Sequence, residues 1–159
     1  MPALHKCNPE EQAGFTKADS LEKHGSAWFC VYFARGCCTE GVNCRYYHRV
    51  PVHDDCIKEN DNLRDVFGRS RHASSKDDMT GIGSFNKECR TLYFTGMPMP
   101  RNEENPQQAA TRNIYKLFSP WGEIEDIAFT QKSLLGGNCA FIKYAHRYYA
   151  EFAREAMCD

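Results

Sequence analysis

The chain has 159 residues, of which 26% are charged and 42% hydrophobic, with nine cysteines and a formal net charge of −1. This length predicts one or two small domains rather than a large catalytic fold. No apolar run reaches the roughly 18 residues of a membrane span, and the N-terminus lacks the apolar stretch of a signal peptide. We therefore expect a soluble protein of a reducing compartment, in which clustered cysteines are metal ligands rather than disulfides.

Residues 1–27 are polar, mixed in charge and without periodicity, which predicts a flexible lead-in. From Trp28 to His48 the composition changes abruptly to WFCVYFARGCCTEGVNCRYYH, rich in cysteine and aromatic residues. A segment this short cannot build a core from apolar burial alone. The composition therefore predicts that residues 28–49 fold around a metal ion.

The ligands of that ion are predicted to be Cys30, Cys38, Cys44 and His48, spaced C-x7-C-x5-C-x3-H. Three thiolates and one imidazole form a set that a structural, tetrahedral zinc ion prefers. Cys44 and His48 are expected to share one helical turn, because residues i and i+4 lie on the same face. Cys37 is the alternative to Cys38, and the five-residue spacing before Cys44 favours Cys38.

An enzyme is not expected at this site. Catalytic zinc keeps an open position with a nearby general acid or base, whereas four protein ligands close the site. The alternative is a chance cysteine cluster or a redox site. A nucleophilic cysteine–histidine pair needs a shaped pocket and an orienting third group, and a segment this short offers neither.

Aromatic and basic residues lie between and beside these ligands. Exposed aromatic rings stack single-stranded bases and arginines pair with phosphates, so the segment is a candidate RNA-binding surface. That the rings merely cover the metal is the alternative. Of two neighbouring tyrosines, Tyr46 is the stacking candidate and Tyr47 is expected to pack. The candidates from this segment are Tyr32, Phe33, Arg45 and Tyr46.

Residues 50–90 are predicted to form a connector without a large core of its own. Ile57, Leu63, Val66 and Phe67 have the spacing of a short amphipathic helix that Gly68 would close.

From residue 91 the pattern predicts a compact domain of the order β-α-β-β-α. Its strands are TLYFTGM at 91–97, IEDIAFT at 124–130 and GGNCAFIKY at 136–144; a helix runs from near Pro106 to Phe118, and a second covers 146–159. A final strand would complete the ferredoxin-like β-α-β-β-α-β unit. Without it one side of the first strand is unpaired, which we interpret as an incomplete chain, or alternatively as a domain completed by a partner strand.

Two strands resemble the RNP2 and RNP1 motifs of RNA-recognition motifs, whose exposed aromatics stack bases. Residues 92–97 match RNP2, with Tyr93 at the stacking position. Residues 137–144 match RNP1 only in part: Phe141 keeps an exposed aromatic, but 137–139 lack the basic and aromatic residues, and Lys143 is expected to be solvated. Weakened RNA binding, or a face used for protein contact, is the alternative.

The charge distribution favours local RNA contact. Residues 28–49 carry three basic residues and one acidic residue, while the other regions have a slight acidic excess. A free-standing nucleic-acid binder usually has a strong basic excess. Any RNA contact is therefore expected to be local and to be helped by partners.

The order of zinc finger, charged connector and RNA-recognition motif resembles a family of splicing factors of the NineTeen complex. The resemblance covers roughly residues 28–158 and is carried by the ligand spacing, FGR at 67–69, DDMTGIGSF at 77–85 and the Asn138-Cys139 departure from RNP1. It implies an α+β fold in which a CCCH zinc finger, a ring-like connector and an RNA-recognition motif (residues 91–159) pack as one RNA-binding unit. Because the lead-in is short, the N-terminal part of the ring is expected to be reduced.

The resemblance also implies a function. Family members contact the U6 small nuclear RNA and the intron, hold the catalytic RNA of the spliceosome in its active conformation, and act in the nucleus with other spliceosomal proteins. No membrane or small-molecule substrate is implied. Cys30, Cys38, Cys44 and His48 would bind one structural zinc ion; Tyr46, Tyr93 and Phe141 would stack on bases; and Arg45, Arg69, Arg71 and Lys87 would lie near phosphates.

The alternative function is a zinc-finger adaptor that contacts splicing proteins and little RNA. A zinc hydrolase or deaminase is disfavoured, because Glu40 lies in no H-x-E…C-x-x-C frame. A regulator of messenger-RNA decay would share the finger type but not DDMTGIGSF.

Overall fold

The computed structural model describes residues 5–20, 28–78, 80–130 and 137–158. In chain order its helices and strands are α1 (Pro9–Gln12), α2 (Lys17–Ser20), α3 (Val31–Ala34), two 3-10 helices (Gly41–Asn43 and His53–Asn60), β1 (Thr91–Thr95), α4 (Pro106–Phe118), a 3-10 turn (Ser119–Trp121), β2 (Ile124–Thr130), β3 (Cys139–Tyr144) and α5 (Arg147–Met157). None of the described helices is long and apolar enough to cross a membrane.

The second half of the chain is built on a three-stranded antiparallel sheet of order β1-β3-β2. Tyr93 of β1 and Ala128 of β2 both pair with Phe141 of β3. Alternation along β3 buries Ala140, Ile142 and Tyr144 against α4 and α5 and leaves the opposite face open. The predicted α+β fold with its β-α-β-β-α order is confirmed.

Helix α4 begins where its sequence predicts. The Asn105 side chain accepts a hydrogen bond from the Gln108 amide at 3.3 Å, and Pro106 occupies the first turn, where no amide hydrogen is needed. On the buried side of α4, the Phe118 carbonyl accepts a hydrogen bond from the Tyr144 hydroxyl at 2.9 Å. This contact ties the helix to the central strand.

The N-terminal segment packs on the cysteine-rich segment, so the prediction of a flexible lead-in is wrong for residues 5–20. The Gly14 amide donates to the His48 carbonyl at 3.0 Å, and the Thr16 hydroxyl donates to the Tyr46 carbonyl at 3.0 Å. Ala18 is fully buried. These contacts are long-range, and for that reason local polarity did not reveal them. Residues 1–4 and 21–27 lie outside the described residues.

The connector contains a 3-10 helix at His53–Asn60 in place of the amphipathic helix predicted up to Gly68. Ile57 and Leu63 are 68% and 61% exposed, whereas Val66 is fully buried. Gly68 adopts a φ of +80°, and a Cβ there would lie 2.7 Å from the Trp28 ring. Both the positive φ and the close indole therefore favour glycine at this turn.

Helix α5 joins the three parts of the molecule. Phe152 contacts the ring of Phe29 at 6.1 Å and that of Phe67 at 5.7 Å between centroids. Glu155 binds Arg35 at 2.7 Å and Arg69 at 3.0 Å. The cysteine-rich segment, the connector and the sheet domain thus share one core.

Candidate metal centre and nucleic-acid interface

The structure brings Cys30, Cys38, Cys44 and His48 into one cluster. One donor atom from each lies within 4.8 Å of the other three. Sulfur ligands arranged tetrahedrally around a zinc-sized ion would lie about 3.8 Å apart, so small side-chain adjustments suffice for coordination. Cys37 is exposed and lies outside this cluster.

Local backbone structure positions the four side chains. Cys30 caps helix α3, and its Sγ accepts a hydrogen bond from the Phe33 amide at 3.3 Å. Cys44 follows the 3-10 helix Gly41–Asn43 with extended backbone angles, φ −60° and ψ 140°. Tyr47 and His48 form isolated β-bridges with Phe29 and Gly14. The prediction that Cys44 and His48 share a helical turn is therefore wrong: tertiary bridges place the imidazole.

The cluster fits a metal ion on its own chemistry. Nε2 of His48 is buried and has no hydrogen-bond partner among the described residues, an arrangement that is unfavourable unless a ligand satisfies the nitrogen. Burial raises the pKa of the Cys30 thiol to about 12, also raises that of Cys44, and lowers that of His48. A bound cation would supply the positive charge that thiolates require in such surroundings.

The open face of the sheet presents the two residues predicted to stack on bases. Tyr93 and Phe141 face each other across β1 and β3, with ring centroids 5.3 Å apart and an interplanar angle of 43°. Tyr93 is 51% exposed and Phe141 is 43% exposed. The cysteine of the incomplete RNP1 motif, Cys139, is buried. The face therefore offers a pair of adjacent rings to solvent.

The aromatic residues of the cysteine-rich segment divide into two groups. Tyr32 and Tyr46 are exposed, as is Arg45 between the last two metal-site residues. Tyr47 is buried, as expected. The prediction that Phe33 lies on the RNA surface is wrong. Phe33 is buried and stacks on the His48 ring, with ring centroids 4.9 Å apart and an interplanar angle of 11°. Phe33 covers the metal site, because only one side of the short helix α3 faces solvent.

Two of the predicted phosphate-contacting residues also need correction. Arg71 is buried and donates to the carbonyls of Asn62 at 3.2 Å, Ser84 at 2.5 Å and Lys87 at 3.1 Å. Arg69 binds Asp65 at 2.7 Å and also Glu155. Both guanidinium groups hold the connector together. Lys87, in contrast, is exposed and stays a candidate.

Sequence reasoning missed a charged cluster on the open face of the sheet. Glu125 binds Lys143 at 2.6 Å and Arg90 at 3.3 Å. Lys143 was expected to be solvated; its side chain is 44% exposed but ion-paired. Alternation along β3 places Lys143 on the face of Phe141, a signal present in the sequence. The irregularity of β2 between Ile124 and Asp126, which directs Glu125 toward these cations, has no such signal.

Residues 1–69 match the model of the Torus domain family. The matched range includes the segment predicted as a lead-in. Three similar proteins are the pre-mRNA-splicing factor CWC2 of Kluyveromyces lactis, 38% identical over 96% of this chain, cwf2 of Schizosaccharomyces pombe, 39% identical over 96%, and cwc2 of Dictyostelium discoideum, 38% identical over 97%. The chain spans 44%, 35% and 26% of the length of these relatives. The resemblance to splicing factors predicted from the motifs is confirmed.

Proposed function

We propose that this chain, a homologue of pre-mRNA-splicing factors over nearly all of its length, is an RNA-binding unit of the splicing machinery. Specifically, it would contact the U6 small nuclear RNA and the intron and help to hold the catalytic RNA in its active conformation. The observation that carries this proposal is the exposed Tyr93–Phe141 pair on an open sheet face. Pairs of exposed rings on such a sheet stack single-stranded bases.

The ion at the cysteine-histidine cluster is proposed to be one structural zinc. The donor set of three thiolates and one imidazole is one that zinc favours over harder divalent cations. Cys30, Cys38, Cys44 and His48 would hold it, with Phe33 packed on the imidazole. Because these ligands would close the coordination shell, we propose that the ion stabilises the fold and that the chain has no catalytic activity.

The RNA surface is proposed to extend from the sheet to the cysteine-rich segment. Tyr32 and Tyr46 offer further rings, while Arg45 and Lys87 offer exposed cations. Each stacked base contributes about 1–3 kcal/mol, so a few rings bind RNA without a strong basic excess. The formal net charge of −1 supports RNA binding that is helped by neighbouring proteins. We propose that these neighbours are spliceosomal proteins, including those of the NineTeen complex, in the nucleus.

A protein-binding adaptor is the second candidate, and one observation favours it. Lys143, a cation on the face of Phe141, is already paired with Glu125. The carboxylate of Glu125 repels phosphate and is compatible with a polar group at the edge of a protein interface. On this reading Tyr93 and Phe141 would contact an apolar side chain of a neighbouring splicing factor.

Ultraviolet crosslinking of the protein in its native complexes distinguishes the two. We expect crosslinked peptides that contain Tyr93, Phe141 or Tyr46, joined to small nuclear RNA and to intron sequence. Recovery of the protein with splicing factors but without any RNA crosslink would contradict the RNA-binding proposal and support the adaptor.

A further inference from the structure

The charged cluster on the open sheet face lies directly beside the stacking pair. Lys143 follows Phe141 by two residues on β3, a distance of about 7 Å along a strand. Thr91 of β1 pairs with Lys143 in the strand register, and Arg90 precedes it. One nucleotide stacked on Phe141 or Tyr93 would therefore have its phosphate within reach of both cations.

The structure holds Arg90 in position for such a contact. Nη1 of Arg90 donates to the carbonyl oxygen of Ala145 at 2.8 Å and to that of Tyr144 at 3.4 Å. The side chain is 29% exposed, so it is fixed by the backbone yet open to solvent. A cation that is already oriented loses little conformational entropy when it binds an anion.

Glu125 places a carboxylate where that anion would bind. Its two oxygens lie on different cations, Oε1 on Arg90 at 3.3 Å and Oε2 on Lys143 at 2.6 Å. A phosphate also offers several oxygens to arginine and lysine, in the same kind of charge-assisted contact. Because ion pairs between exposed side chains contribute little stability, a phosphate can displace this carboxylate.

We propose that Arg90 and Lys143 form an RNA phosphate-binding site next to Tyr93 and Phe141, and that Glu125 occupies this site as an internal competitor. The inference rests on the proposed RNA contact of the sheet face and adds residues to it. Arg90 and Lys143 would also supply the positive charge that the incomplete RNP1 motif lacks at residues 137–139. The competitor would weaken binding to RNA in general, and would limit stable binding to RNA that also engages the rest of the protein.

The test measures the affinity of the full chain for a short single-stranded RNA labelled with fluorescein, by fluorescence anisotropy. We expect Glu125→Gln to tighten binding by about threefold to tenfold, since it removes both the competition and the repulsion of phosphate. The Arg90→Gln/Lys143→Gln variant should bind more weakly and show a salt slope lower by about one. Lys143→Gln alone is the second variant if the double variant melts early.

A net-charge effect is separated by two controls. Glu103 lies before helix α4 and forms an ion pair with Arg112 of that helix. Glu103→Gln removes the same charge as Glu125→Gln and should leave the affinity for RNA unchanged. In the Arg90→Gln/Lys143→Gln background, Glu125→Gln should give no gain, because there is no site left to compete for. An equal gain in both backgrounds would reduce Glu125 to a source of diffuse repulsion and overturn the inference.

The remaining outcomes are also decisive. Weaker binding by Glu125→Gln would mean that the carboxylate orients the cations for RNA, which also overturns the inference. RNA binding by wild type that depends on Tyr46 but not on Phe141 or Lys143 would refute the inference and leave the proposed function intact. Absence of binding by both wild type and Glu125→Gln would refute the inference, whereas the proposed function is decided by the crosslinking in native complexes, where the partners are present.

Discussion

Replacing Phe141 by alanine should weaken RNA binding strongly and reduce stability only slightly. A base that loses its stacking partner costs about 1–3 kcal/mol, which corresponds to about 5- to 150-fold in affinity. Because the ring is 43% exposed, its removal forfeits only about half of the ~1.5–3 kcal/mol of a buried phenylalanine. Loss of its contact with Tyr93, at 5.3 Å, adds up to about 1 kcal/mol.

These magnitudes leave the variant folded under assay conditions. A loss of about 1–2 kcal/mol lowers the melting temperature of a chain this long by roughly 3–6 °C. Fluorescence anisotropy with a labelled single-stranded RNA measures the affinity, and thermal denaturation measures the stability. Tyr93→Ala should behave in the same way, because its ring shares the face and is 51% exposed.

Phe94→Ala is the matched control, since Phe94 lies beside Tyr93 but on the opposite face of β1. Its ring packs against Phe118 at 5.2 Å between centroids. Its removal should cost about 2–4 kcal/mol of stability and leave RNA affinity unchanged while the protein is folded. Equal affinity losses for Phe94→Ala and Phe141→Ala, or no loss for Phe141→Ala, would refute the assignment of the open face to RNA.

Four further substitutions test the rest of the structure. Cys44→Ser should abolish zinc binding and unfold the cysteine-rich segment, because metal binding supplies about 10–16 kcal/mol of folding free energy in such segments. Zinc analysis measures the bound metal and circular dichroism measures the folding. Cys37→Ser, which lies outside the cluster, should match wild type in both measurements. Arg71→Ala should lower stability without changing the salt slope of RNA binding, whereas Lys87→Ala should lower that slope by about one at unchanged stability; the opposite pattern would restore Arg71 as a phosphate contact. Burial alone would raise the pKa of Glu155, but hydrogen bonds from Arg35 and Arg69 hold the pKa below 4.5 in the folded protein. The ion pairs of Glu155 therefore stabilise the fold above pH 4.5, and this stabilisation is lost as the pH falls through the pKa of the folded state. The stability of Glu155→Gln, measured by unfolding at several pH values, should lack that loss at acid pH, and identical acid limbs for variant and wild type would show that the pairs contribute nothing.

The elements of the sheet domain could be predicted from sequence because each carries a local signal. Asn105 and Pro106 mark the start of α4 through capping chemistry, and the alternation of 139–144 separates buried Ile142 from exposed Phe141. The donor set of the metal site was equally local, since cysteine and histidine at regular spacings have few structural uses other than metal binding.

The backbone between the metal-site residues was decided by tertiary contacts. Spacing alone suggested a helical turn from Cys44 to His48, but the chain there forms bridges to Phe29 and Gly14. Those partners are distant in sequence, so no local period encodes them. The same contacts order residues 5–20, whose polar composition resembled a flexible segment.

What the sequence by itself determined is therefore the chemistry: a metal donor set, two aromatic residues at the RNP positions and the order of the elements. In the cysteine-rich segment and the connector, only the tertiary structure decided which of the aromatic and basic side chains reach solvent. Phe33 and Tyr46 are both aromatic residues of one segment, yet Phe33 covers the imidazole and Tyr46 is exposed. Arg71 is buried among carbonyl oxygens. Residue type fixes what a side chain can bind, whereas packing against distant segments fixes whether a partner can reach it.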